Sequence, residues 1–144
     1  MAAFHSLKRF FPNSPDWLRG GMYLVALLWL VVWPVEISEL VIRHDYIPAS
    51  LLGWSIKFLY AWGFAISVYL ISPVAGNSSV PDQLIGICIV LLGLLITSPV
   101  YFAIGALLAV RKENTITLAV VLAVIHLVLS CLVPIWLMRF FFSD

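Results

Sequence analysis

Glu36, Glu39 and Lys57 are ionisable residues in or at the edge of long apolar runs. An ionisable group at the bilayer centre costs ~2.5–3.5 kcal/mol on insertion scales, so it needs a partner, water or an escape to the interface. Glu36 and Glu39 are three residues apart and share one helix face. Glu39 and Arg43 are four apart with the acid first, the favoured order for a helical ion pair. Lys57 falls in the next apolar run. Counted back from the 43–50 connection, Glu36 and Lys57 each lie about seven residues in, or ~10 Å at the helical rise, so an antiparallel hairpin sets them level. Two chemistries follow. One is a carboxylate pair on a proton or cation path, with Lys57 setting its charge. The other is an interfacial salt bridge, with Lys57 snorkelling to the surface. Charged residues near span ends are ordinary, which favours the salt bridge. Pro34 just before the pair speaks for the path, because bent helices often line cavities.

His126 is the second candidate. The tight turn RKENT pairs the flanking apolar runs so that His126 is level with Val100, within a turn of Thr97, Ser98 and Tyr101. A neutral imidazole hydrogen-bonded to Tyr101 or Thr97 is inter-helix glue, and a proton relay is the sharper alternative. Glue is favoured, because one histidine without a nearby acid makes a poor relay. His5 and His44 fall in a tail and a loop, so His126 has no second axial haem ligand. Cys88 and Cys131 form no CxxC pair and read as small apolar residues. The sequence has no HExxH, GxSxG or phosphate-cradling glycine loop. It therefore carries no signature of an enzyme, and no cofactor or metal is expected.

The elements that must hold these residues follow from composition. Hydrophobic residues make up 63% of the 144, and charged ones only 10%. A soluble domain averages ~45–50% apolar and ~25% charged residues, so this chain cannot cover itself with polar side chains. No charge lies between Asp82 and Arg111, or between Glu113 and Arg139. Each stretch exceeds the ~20 residues a span needs. Four spans are expected, at 22–42, 51–72, 84–110 and 116–138. Short connections make them an up-down-up-down antiparallel bundle: an all-α integral membrane protein in a single domain, 1–144. Residues 1–14 read as a short interfacial helix, with Phe4, Leu7 and Phe11 on a stripe beside Lys8 and Arg9. Ser14-Pro15-Asp16 and Pro81-Asp82 are helix starts, and Asn114 or Thr115 can cap the last helix. Small residues recur at four-residue spacing, as at Gly63 and Ser67, Gly105 and Ala109, and Ala119 and Ala123. Such rows let helix backbones approach closely.

Orientation is nearly a tie. With four spans the termini share one face, with Lys8, Arg9, Arg19 and Arg139 against Arg43, Arg111 and Lys112 on the other. The positive-inside rule weights the first helix and so favours cytoplasmic termini. Against it, the uncharged stretch ISPVAGNSSVPDQ looks more exterior than VRKENT. Asn77-Ser78-Ser79 is a glycosylation sequon, relevant only in a eukaryotic secretory membrane.

No piece outside the spans is large enough for an independent core, so no extramembrane catalytic or nucleic-acid-binding domain is expected. The leading expectation is a non-catalytic membrane subunit: an anchor, scaffold or sensor in an oligomeric or multi-protein complex of the bacterial inner (plasma) membrane. Its partners would be the bilayer, further copies of itself, or other membrane or cytoplasmic subunits. One version places it in a bacterial conflict or defence system, as an immunity protein or the membrane partner of an effector. The alternative is a small oligomeric ion or proton channel or transporter, supported by Glu36, Glu39, Lys57 and His126.

Overall fold

Each helix start is set by a short-range signal. Ser14-Pro15-Asp16 opens the first: the Leu18 and Arg19 amides donate to the Pro15 carbonyl at 3.1 and 3.3 Å. Pro81-Asp82 repeats the device, with the Leu84 and Ile85 amides on the Pro81 carbonyl. Proline fits here because its missing N–H is not needed at a helix start. At the last helix Lys112, rather than Asn114 or Thr115, takes the capping position. The Thr115 hydroxyl reaches back to accept from the Lys112 amide at 3.1 Å and donates to the Lys112 carbonyl at 2.7 Å. This is one arm of a capping box, the N3 side chain accepting from the N-cap amide; the lysine side chain cannot supply the other.

The computed structural model describes residues 14–38, 40, 51–75, 80–110 and 112–142. They form five helices: α1 (Asp16–Ile37), α2 (Leu51–Phe58), α3 (Ala61–Ala75), α4 (Asp82–Val110) and α5 (Glu113–Phe142). No strand occurs among the described residues. α1, α4 and the Glu113–Trp136 part of α5 are each long and apolar enough to cross a membrane. Ser38 and Leu40, beyond α1, have π-helical geometry. The interfacial segment expected over 1–14 lies outside the described residues apart from Ser14.

Two findings depart from the expected up-down-up-down order. The run 51–72 is not one helix. α2 closes with tight bonds from the Leu59 amide to Ile56 and from the Tyr60 amide to Lys57, three residues back, and α3 begins again from the Tyr60 carbonyl. α2 has 8 residues and α3 has 15, so neither alone crosses a ~30 Å core. The second departure is direction. Up-down-up-down order makes the first and third spans parallel, whereas α1 and α4 run antiparallel: Gly20 meets Gly105, and nine residues on, Trp29 bonds Ser98.

Contacts divide the chain into two compact units, one of Met1–Trp29 with Ser98–His126, the other of Leu30–Thr97 with Leu127–Asp144. In the first, a Cβ on Gly20 would strike the Gly105 carbonyl, and one on Gly105 would strike that of Gly20. Glycine is therefore required at both, and the two backbones touch. Trp17 packs edge-on to Phe102 at 6.3 Å. In the second unit Gly63 and Gly93 repeat the approach: a Cβ on Gly93 would lie 3.0 Å from the Phe64 backbone, and one on Gly63 would meet the Gly93 carbonyl. Leu94, Val90, Val32 and Tyr60 are fully buried there.

Candidate functional site

The second unit carries the charged pair. Glu36 lies in the last turn of α1 and Lys57 in the last turn of α2. Lys57 Nζ is 3.5 Å from Glu36 Oε2, with side-chain exposures of 12% and 3%. A cation at a helix C-terminus is favoured by the helix dipole, which fits Lys57 to its position. The ammonium also stands 4.6 Å from the centre of the Phe64 ring. Phe64 is edge-on to Tyr60 at 5.8 Å, and Tyr60 is completely buried. A buried ammonium is thus met by a carboxylate and by an aromatic face, two complementary ways of replacing water. Glu39 and Arg43, the other members of the expected charge cluster, lie outside the described residues.

The first unit carries the neutral contacts. The Tyr101 hydroxyl is 3.3 Å from His126 Nε2, and the two rings pack edge-on with centroids 5.0 Å apart. His126 is 6% exposed. Tyr101 is thus the residue the structure brings to His126. In the second unit the Thr97 hydroxyl is spent within α4, 2.8 Å from the Gly93 carbonyl and 3.2 Å from that of Leu94. Ser67 does the same on α3, donating to the Gly63 carbonyl at 2.7 Å. These hydroxyls saturate their own helices and leave little for a ligand.

Three features lay beyond the sequence reading. Trp29 Nε1 donates to Ser98 Oγ at 3.0 Å, tying α1 to α4. Arg19 is buried at 8% exposure, its Nη2 held by Asp16 at 2.6 Å, while Nε and Nη1 have no hydrogen-bond partner among the described residues. The break at Leu59–Tyr60 is the third. A lysine midway along an apolar run was its one visible signal. Cys88 and Cys131 are free thiols on exposed faces of α4 and α5.

The chemistry these groups offer is mutual neutralisation and hydrogen bonding between helices. Charge movement through Glu36 would require its separation from Lys57. No protein-family model, no curated protein and no solved structure matches this chain.

Proposed function

We propose that the chain is a non-catalytic integral membrane subunit, an anchor or scaffold in an oligomeric or multi-protein membrane complex. The observation that carries this reading is the use of polar side chains as ties between helices: Glu36 to Lys57, Tyr101 to His126 and Trp29 to Ser98. Each joins two helices, as expected where hydrogen bonds and close packing replace the hydrophobic effect between helices in lipid. α5 meanwhile keeps a thin buried stripe at Ala119, His126 and Ser130, and exposes Val121, Val124, Val128, Leu132 and Trp136. Such a surface is available for lipid or for lateral association. A role in a bacterial inner-membrane defence or immunity complex is the most specific form of this reading. Native mass spectrometry in mild detergent tests it. The expected result is a discrete oligomer or a stoichiometric co-purifying subunit, and a monomer at all detergent concentrations contradicts it.

A second reading, a small oligomeric channel or transporter, is favoured by one observation: the Glu36–Lys57 pair sits beside the broken helix α2–α3. Interrupted helices with ionisable side chains at membrane depth mark ion and proton routes. Purified protein in liposomes discriminates. Flux abolished by Glu36→Gln would promote this reading, and silent liposomes leave the scaffold reading in place.

A further inference from the structure

We infer that residues 51–75 form a re-entrant helical hairpin rather than a membrane span, so that the chain crosses three times, with its N-terminal end cytoplasmic and its C-terminal end outside. The inference is independent of whether the protein works as a scaffold or a conduit.

α1 and α4 are both spanning helices, and within the first unit they are antiparallel. A parallel pair with Gly20 against Gly105 would hold Trp29 and Ser98 some 16 residues out of register, ~24 Å at the helical rise. The hydrogen bond between them spans 3.0 Å. The end of α1 and the start of α4, which the segment between them must join, therefore lie at the same membrane face. One crossing by 51–75 would put the ends of that segment on opposite faces. Two crossings need ~60 Å of helix, and α2 with α3 supplies ~35 Å.

The second unit by itself fixes the direction of α3. Gly63 touches Gly93, which lies eleven residues into α4. That is ~16 Å along a helix of ~43 Å, so α3 begins inside the bilayer. Were α3 parallel to α4, Ala75 and Asp82 would stand ~34 Å apart along the axis. The link between them reaches at most ~25 Å fully extended. α3 therefore runs antiparallel to α4, outward to the face where α4 begins. On this reading α2 carries the descent, and the Lys57–Glu36 contact places its end beside the last turn of α1. At the turn Tyr60 is fully buried, which meets the requirement that irregular backbone at membrane depth be shielded by protein.

Three crossings place Lys8, Arg9, Arg19, Arg111 and Lys112 on one face, against Arg43 and Arg139 on the other. The near-tie of the four-span order becomes five to two, and the positive-inside rule then assigns the N-terminal face to the cytoplasm. The basic turn VRKENT falls inside and the uncharged ISPVAGNSSVPDQ outside, removing the conflict that four spans create. By this topology the Glu36–Lys57 pair belongs to the exterior half of the membrane.

Thiol accessibility in intact cells tests the arrangement in the full-length protein. Cys88→Ala and Cys131→Ala first remove the exposed native thiols. An impermeant maleimide should label the Ser50→Cys, Ser79→Cys and Ser143→Cys variants directly, and Ser6→Cys and Asn114→Cys only after permeabilisation. Epitope tags at the two termini give the end-to-end reading without internal substitutions. Labelling of positions 50 and 79 from opposite faces, or tags on the same face, would overturn the inference.

Discussion

The two units use the same device to bring backbones together and different chemistry to hold them. In the first, Gly20 and Gly105 touch and the polar ties are neutral, Tyr101 to His126 and Trp29 to Ser98. In the second, Gly63 and Gly93 touch and the tie is ionic, Glu36 to Lys57, beside a broken helix. The difference teaches where a membrane protein is brittle. Neutral hydrogen bonds in lipid average ~0.6 kcal/mol, because the separated helices find other partners. Removing one member of a buried ion pair costs ~3–5 kcal/mol, because the survivor is left charged without water. The second unit should therefore be far more sensitive to single substitutions at its tie.

The largest effect is expected from Lys57→Met, which strands Glu36. Unfolding in detergent micelles should show a loss of ~3–5 kcal/mol, and Glu36→Leu added to it should recover most of that loss. An undiminished stability in the single variant would erase the contrast between the units. Next come the glycines. Gly105→Ala and Gly63→Ala both force a Cβ against a carbonyl, and overpacking typically costs ~1–3 kcal/mol. Similar losses in the two units would sharpen the comparison by isolating the tie as the point of difference.

Smaller still is His126→Leu, with a loss of ~0.6 kcal/mol measured in the same assay. His126→Gln, which keeps a donor and an acceptor, should leave assembly intact. Stable His126→Gln protein that has lost partner recruitment or flux would instead make the imidazole's proton functional. The smallest change belongs to Thr97→Val. Among the described residues its hydroxyl bonds only carbonyls of its own helix, so the loss should be ~0.5 kcal/mol, the low end for a net hydrogen bond, despite complete burial.

The contacts legible in sequence were those fixed by short loops. The RKENT turn sets the register of α4 and α5 and brings His126 within a turn of Thr97 and Tyr101, while the choice of Tyr101 comes from the packing. Glu36 and Lys57 were set level by counting back from their connection, and the prolines at 15 and 81 marked helix starts. What stayed hidden depends on distant residues. No proline or glycine stands at Leu59–Tyr60, and Lys57 alone interrupts the apolar run, so the break was nearly concealed. The direction of α1 against α4 is decided by Gly20 meeting Gly105, and nothing local to either glycine names its partner. Arg19 read as a tail charge because its burial comes from tertiary packing rather than from its neighbours in sequence.

The most direct test of the ionic tie is a charge exchange. Lys57→Glu and Glu36→Lys are made singly and together, and folded yield is read by size-exclusion chromatography of detergent extracts. Each single reversal should collapse the monodisperse peak, and the double exchange should restore a substantial part of it. A double variant no better than either single one would contradict the tie between Glu36 and Lys57.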